Sequence, residues 1–228
     1  MEPENTVEHA KDRVLAAALA HVPFDGWSEA TLTAAIADSG VAPGLARALF
    51  PRGGVDLAAA WHRQGNRAMA EALAGHELAA LRFRDRVALA VMLRLQAADR
   101  ECVRRGSALF ALPQHAAEGA GLIWGTADAI WTALGDTSRD LNWYTKRATL
   151  SAVFGSTVLY WLGDTSEGDA DTRAFLDRRI ETVMQIEKAK AGFRANPLGK
   201  ALLQGPLAFL DRLQAPQGVG DLPGHTSR

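Results

Sequence analysis

Histidine, cysteine and carboxylate side chains are the groups that could give this chain catalytic or metal-binding chemistry. Their spacing favours neither a catalytic site nor a metal site. The six histidines are scattered, and the only His–Glu pair that stands three residues apart, as a metal-binding pair on a helix would, is His115 and Glu118. A di-iron carboxylate bundle needs Glu-x-x-His on two helices, whereas no Glu here has a His three residues after it. Cys102 has no evident histidine partner and is expected to be a small buried apolar residue. We therefore expect no catalytic residue, metal or cofactor.

Sequence motifs for nucleophilic catalysis and nucleotide binding are also missing. The chain contains no GxSxG, no P-loop, no HExxH and no GxGxxG followed by a helix. These absences weaken most enzyme interpretations and favour a binding protein.

Composition narrows the class of protein further. Of 228 residues, 48% are apolar and 22% charged, and 25 Lys+Arg stand against 26 Asp+Glu. Such a balance excludes a disordered chain and a generally basic nucleic-acid binder. The single cysteine and the absence of an apolar signal core in MEPENTVEHA indicate a reducing compartment. The uncharged run over 148–163 is shorter than the ~20 residues that a spanning helix needs.

The elements that must position any site are predicted to be helices, because apolar residues recur at helical spacing and Ala and Leu dominate. We expect helices at 7–20, 28–37, 43–50, 56–81, 84–104, 113–134, 140–162, 172–193 and from 196 onward. Ser28 is a good amino-terminal cap, and Gly40 should end the helix that Ser28 begins. The predicted organisation is a helix-turn-helix-like lobe at 1–52, a helical bundle at 53–195, an amphipathic helix at 196–214 and a disordered tail at 215–228.

The outline over 15–50, LAAALAHVPFDGWSEATLTAAIADSGVAPGLARALF, resembles the amino-terminal domain of TetR-type transcription regulators. By that resemblance the lobe would bind DNA, but its charges disagree. Residues 1–52 contain four Lys+Arg and seven Asp+Glu, and the recognition-helix segment PGLARALF offers Arg47 as its only cation. A protein that recognises double-stranded DNA needs several contacts from cationic side chains to the phosphates. We therefore interpret the lobe as structural and expect no nucleic acid.

The most specific signature is the string DAIWTALGDTSRDLNWYTKRATLSAVFGSTVLYWL, followed by TRAFLDRRIETVMQ. It resembles the family of ubiquinone biosynthesis accessory proteins that are the ninth protein of the coenzyme Q pathway, and the similarity extends over roughly 10–205. The resemblance implies an all-α, TetR-like fold without DNA binding, and a homodimer. It also implies an apolar pocket for an isoprenoid lipid, a membrane-bound carboxy-terminal helix and a docking patch for the di-iron demethoxyubiquinone hydroxylase.

The implied lipid pocket falls on two adjacent apolar helices. Small residues alternate with bulky ones in 119–134, and the helix over 140–162 is apolar all round after its first two turns, as buried helices are. The residues alone favour close contact between the two helices over a cavity. The resemblance to the family instead favours a cavity between them. The lining residues are then expected to be Leu122, Ile123, Trp124, Val153, Phe154 and Val158.

Trp131 stands at the end of its helix beside a polar loop, where a tryptophan is either a core plug or an anchor for another protein. The resemblance places the docking tryptophan of the family at Trp131, with Asp128 and Ile130 beside it. Thr132 and Ala133 depart from the more polar and aromatic residues of the family. Arg147, one turn beyond Trp143, is expected to be held by nearby carboxylates in a structural role.

The segment NPLGKALLQGPLAFLDRL divides into an apolar face and a polar one, as a helix lying on a membrane surface does. The residues expected to contact the membrane are Leu198, Leu202, Phe209 and Leu213. The residue pattern alone is equally consistent with a helix that packs on its own bundle or on a dimer partner instead of a membrane.

These observations favour a non-enzymatic lipid-binding accessory protein that takes an isoprenoid ubiquinone precursor from a membrane surface and presents it to the hydroxylase. The alternative is a TetR-type ligand-responsive transcription regulator. The expected location is the cytoplasmic face of a bacterial inner membrane, or the matrix face in a mitochondrion.

Overall fold

The computed structural model describes residues 3–195, with side chains described for residues 7–186. Every regular element in that part of the chain is helical, which confirms the predicted all-α class. The lobe contains α1 (Pro3–Ala18), α2 (Val22–Asp25), α3 (Glu29–Ser39) and α4 (Pro43–Leu49). The bundle contains α5 (Gly54–Ala74), α6 (Phe83–Gln96), α7 (Arg100–Phe110), α8 (Ala116–Ala133), α9 (Leu141–Trp161) and α10 (Ala170–Ala195), with short 3-10 helices at Leu78–Ala80 and Glu167–Asp169.

Side-chain caps set several helix starts, and the one at Ser28 is predicted from the sequence. Ser28 Oγ accepts a hydrogen bond from the Thr31 N–H at 3.2 Å, and Gly40 ends α3 in the left-handed conformation at φ 63°. Asp140 likewise accepts from the Asn142 N–H at 3.0 Å and begins α9. Each cap satisfies an N–H that the first turn of a helix leaves without a partner.

The single helix predicted over 84–104 is wrong, since the chain forms α6 and α7 there. The break falls at 97–99, where Asp99 Oδ1 accepts from the Cys102 N–H at 2.8 Å and begins a new helix. The alanines before Asp99 continue the helical pattern in sequence, but the capping bond stabilises the break. The helix predicted to run to residue 81 likewise ends earlier, at Ala74.

Two apolar cores hold the helices together. The first joins the lobe to α5 and α7, and its most buried members include Val14, Leu32, Phe50, Leu57 and Cys102. The second lies inside the bundle, with α5 and α9 packed on α8 and α10 packed on α9 and α6. Cys102 is 1% exposed, as expected. The first core contains side chains from both sides of residue 52, since α5 and α7 pack on the lobe. The predicted domain boundary at residue 52 therefore stays a prediction.

Candidate functional site

A largely apolar cavity of about 490 Å³ lies among α6, α8, α9 and α10. Its size falls in the range of small-molecule sites. The lining residues are Phe83, Arg84, Val87, Trp131, Asn142, Thr145, Lys146, Thr149, Leu150, Val153, Ile180, Val183 and Met184. We call this space the first cavity.

Trp131 forms one wall of the first cavity and is half-buried. Its ring stacks on Phe83 with centroids 5.5 Å apart, and its Nε1–H donates to the Lys146 carbonyl oxygen at 3.1 Å. The Lys146 ammonium lies 5.1 Å from the ring centroid. Trp131 is therefore neither a core plug nor a free surface residue, but a fixed side chain with one part in the cavity wall and one part exposed.

A buried ionic cluster holds the turn after Trp131 against α9. Asp136 pairs with Lys146 at 2.7 Å and with Arg147 at 3.1 Å, and Arg147 Nε donates to Asp128 at 2.6 Å. Burial alone would raise the pKa of Asp136, but hydrogen bonds from Lys146, Ser138 and Arg147 outweigh it and lower the pKa to about 2. Asp136 therefore stays ionised and fixes the end of α8 relative to the start of α9.

The expectation that nearby carboxylates hold Arg147 is confirmed by Asp128 and Asp136, whereas Asp140 caps α9. The Arg147 guanidinium also lies 4.1 Å from the centroid of the Trp143 ring. These contacts support a structural role for the start of α9.

The three residues predicted to dock a partner differ in exposure. Asp128 is 44% exposed, and Trp131 is partly exposed beside it. Ile130 has no exposed surface and packs in the bundle core, so the structure corrects its inclusion. The reason is helical geometry, because successive residues on a helix point about 100° apart and α8 turns Ile130 inward.

A second cavity, of about 320 Å³, lies among the bundle helices next to Trp27 of the lobe. Its walls come from α5, α6, α7, α8 and α9, together with Trp27. Of the six predicted lipid-lining residues, Leu122, Ile123, Phe154 and Val158 line this second cavity, and Val153 lines the first. Trp124 lines neither and lies against Trp143 with centroids 5.9 Å apart. The six residues therefore do not line one cavity in this structure, and their role in lipid binding stays a prediction.

The small residues of α8 serve different purposes at different positions. A Cβ at Gly119 would lie 2.7 Å from Phe110 Cβ, so this glycine permits close contact with α7. At Gly121 and Gly125, by contrast, no atom of the described residues outside the local helix backbone would lie within 4 Å of a Cβ. The row of small residues therefore does not mark one continuous helix interface or one cavity wall.

Sequence reasoning missed the polar residues of the second cavity. His62 and Arg94 line it together with aromatic side chains, and Arg94 is only 4% exposed. The available signal was the single cation in the apolar stretch VALAVMLRLQ of α6. A charge in such a stretch is buried only where polar partners or a ligand compensate it.

In the lobe, the two cations nearest the predicted recognition helix have protein partners. Arg47 pairs with Glu29 at 2.7 Å, and Arg52 pairs with Asp56 and Glu118 at 2.6 and 2.9 Å. Arg47 is the only basic residue of α4.

Within residues 3–195, no helix is long and apolar enough to cross a membrane. The same part of the chain contains no group of three or more His, Cys, Asp or Glu residues placed to hold a metal ion. The predicted membrane contacts Leu198, Leu202, Phe209 and Leu213, the helix at 196–214 and the tail at 215–228 lie outside the described residues.

The fold is that of TetR-type regulators. It is similar to the crystal structure of the TetR transcriptional regulator from Nitrosomonas europaea, with a TM-score of 0.60 over 75% of this chain and 96% of that one. The two sequences are 18% identical, so the likeness concerns the fold alone.

Sequence relatives identify the family. The COQ9 family model matches residues 116–187, which include α8, α9 and the Trp131 wall of the first cavity. The chain is 31% identical to the mitochondrial ubiquinone biosynthesis protein COQ9 of Drosophila melanogaster and to that of Rattus norvegicus, over 81% and 90% of its length. It spans 60% and 66% of those two proteins. It is also 30% identical to mitochondrial COQ9-B of Xenopus laevis, over 90% of this chain and 72% of that protein. The chain therefore belongs to the COQ9 family of ubiquinone biosynthesis proteins.

Proposed function

We propose that this protein is a non-enzymatic accessory factor of ubiquinone biosynthesis, which holds an isoprenoid quinone precursor in the first cavity and presents it to the di-iron demethoxyubiquinone hydroxylase. The position of Trp131 carries the proposal. Its indole lines the first cavity and is also partly exposed beside Asp128. A lipid in the cavity and a protein docked on this surface would therefore meet across one side chain.

The first cavity offers the environment that an isoprenoid chain needs. Its walls are mostly aliphatic and aromatic, and each CH₂ moved from water into such a wall gains ~0.8 kcal/mol. A volume of about 490 Å³ suits a ring with its first isoprene units and not an entire long tail. The lining also contains the polar side chains of Asn142, Lys146 and Arg84. They pair with Asp140, Asp136 and Glu181, so a quinone head group would share or displace those partners.

Access to a lipid of this kind requires a membrane surface, and we assign that contact to Leu198, Leu202, Phe209 and Leu213. The matched animal relatives are named mitochondrial, which supports a mitochondrial location. There the protein would lie on the matrix face of the membrane, and in a bacterium on the cytoplasmic face of the inner membrane. The protein would act as a homodimer.

DNA binding is the other function of this fold, and the charges of the lobe speak against it. Arg47 and Arg52 are engaged by carboxylates, so duplex phosphates would have to displace those partners. Acidic residues outnumber basic ones in residues 1–52. We therefore assign the lobe a structural role.

Mass spectrometry of lipid extracts, combined with two cavity-filling variants, tests the proposed function. Thr149 lines the first cavity and Ser107 the second, and both are half-buried. We expect wild type and Ser107→Trp to co-purify with an isoprenoid lipid and to stimulate the hydroxylase, and Thr149→Trp to lose both properties. An extract of wild type without isoprenoid lipid, or equal lipid in both variants, would contradict the proposal.

A further inference from the structure

The second cavity contains a buried positive charge that the proposed function does not use. Aromatic side chains of Trp27, Trp61, Phe110 and Phe154 surround much of this space. Arg94 projects from α6 into the same lining and is 4% exposed. Burial of a guanidinium in such a place costs desolvation free energy and destabilises the fold unless an opposite charge compensates it.

The hydrogen bonds of Arg94 go only to neutral oxygens. Its Nε donates to Asn66 Oδ1 at 2.8 Å, and its Nη2 donates to the His62 carbonyl oxygen at 3.0 Å. No ion pair to Arg94 forms among the residues whose side chains the structure describes, and Nη1 has no hydrogen-bond acceptor there. Burial lowers the pKa of Arg94 to about 10, so the guanidinium is charged at neutral pH.

The polar groups around Arg94 form a network that contains no anion. Asn66 Oδ1 also accepts from Thr126 Oγ1 at 3.0 Å, and His62 Nε2 lies 2.8 Å from Thr126 Oγ1. Burial, reinforced by Arg94, lowers the pKa of His62 to about 3, which leaves the imidazole neutral at physiological pH. These groups orient the guanidinium without neutralising its charge.

Helix packing also favours a fixed guanidinium. A Cβ at Gly65 of α5 would lie 2.7 Å from Arg94 Cζ, so the glycine leaves room for the group to lie against the helix. The site is therefore built from α5, α6 and α8, with one cationic face, neutral supports and aromatic walls.

We propose that the second cavity binds a single-chain amphiphile with an oxyanion head group, with Arg94 as the counter-ion and the aromatic walls around the tail. The free Nη1 and the second Nη2 proton of a guanidinium match a carboxylate or a phosphate in a two-pronged contact. The cavity of about 320 Å³ suits one chain in part and not a two-chain lipid. This inference is independent of the proposed function, because it concerns the other cavity.

Binding of matched lipids to the delipidated full chain tests the inference. Oleate and oleyl alcohol share a tail and differ in head-group charge, and lysophosphatidate carries a phosphate in place of the carboxylate. We expect both oxyanion lipids to bind wild type about tenfold or more tightly than the alcohol, as a charge-assisted contact in a buried site requires. The tighter of the two identifies carboxylate or phosphate as the head group.

Variants locate the effect. Arg94→Met removes the charge at similar length and should abolish the preference for oxyanions. Arg94→Lys keeps a charge without the planar guanidinium and should show a reduced preference. The lysine variant tests the inference even where the methionine variant fails to fold. Arg67→Met, which changes an exposed cation of α5, is the matched control and should behave as wild type. Ser107→Trp should block oleate and leave the isoprenoid lipid in place, and Thr149→Trp should do the reverse. Equal binding of oleate and oleyl alcohol to wild type, or an unchanged preference in both Arg94 variants, would overturn the inference.

Discussion

Replacement of Trp131 by alanine separates the structural contribution of this residue from its proposed docking role. The change removes the stack on Phe83, the hydrogen bond to the Lys146 carbonyl and the contact with the Lys146 ammonium. It also opens one wall of the first cavity. Both the stability of the fold and the affinity for the hydroxylase should therefore change, for different reasons.

The loss of stability can be worked out from these contacts. An aromatic pair contributes ~0.5–1.5 kcal/mol, a hydrogen bond ~1 kcal/mol and a partly exposed cation–π contact ~0.5–1 kcal/mol. We expect Trp131→Ala to lower the free energy of unfolding by about 2 to 3.5 kcal/mol, at or below the lower part of the 3–5 kcal/mol typical of a fully buried tryptophan. For a chain of this size the thermal midpoint should fall by roughly 4–14 °C.

The loss of affinity is set by the exposed part of the indole. Truncation of a tryptophan anchor at an interface commonly costs 2 kcal/mol or more, which is about thirtyfold in the dissociation constant. Both quantities are measurable on one preparation, by thermal unfolding and by titration of the purified hydroxylase at a temperature where the variant is folded.

Trp124→Ala is the matched control, because Trp124 lies two turns earlier on α8, is also half-buried and lines neither cavity. It loses the contact with Trp143 and should be destabilised while retaining its affinity for the hydroxylase. Equal losses of affinity in the two variants, or an unchanged affinity for Trp131→Ala, would refute the docking role.

Three further predictions concern residues that hold the fold. The pKa of His62 is 6.5 in an unfolded chain and about 3 in the fold. Between pH 3 and pH 6.5 the unfolded state therefore binds a proton on His62 that the folded state does not. Stability should therefore fall by up to ~1.4 kcal/mol per pH unit below pH 6.5, and urea unfolding of His62→Gln should show a shallower pH dependence. Asp99→Ala should lose ~0.5–2 kcal/mol with the cap of α7, and an unchanged urea midpoint would contradict that cap. Gly65→Ala should cost a net ~0–2 kcal/mol, because displacing the Arg94 guanidinium costs ~1–3 kcal/mol and the gain in helix propensity returns ~1 kcal/mol, whereas Gly121→Ala, with open space around it, should be neutral or stabilising.

Local structure was largely predictable because its causes are local. Ser28 and Gly40 act within one helical turn, and the structure has the predicted cap and stop there. The break between α6 and α7 was missed because the alanines before Asp99 fit a continuing helix, and only the folded chain shows the carboxylate accepting from the backbone of α7.

The sequence by itself determined the helical class, the TetR-like order of helices and membership of the family, since helix periodicity and the string from Asp128 to Leu162 are properties of the chain. Tertiary structure alone decided which side chains meet. Periodicity fixes the angle between neighbours on one helix, but not the rotation of that helix against others. That rotation buried Ile130, exposed part of Trp131 and divided the predicted lipid-lining residues between two cavities. It also placed Arg94 against neutral groups of α5, because pairing between residues distant in sequence depends on packing and not on spacing.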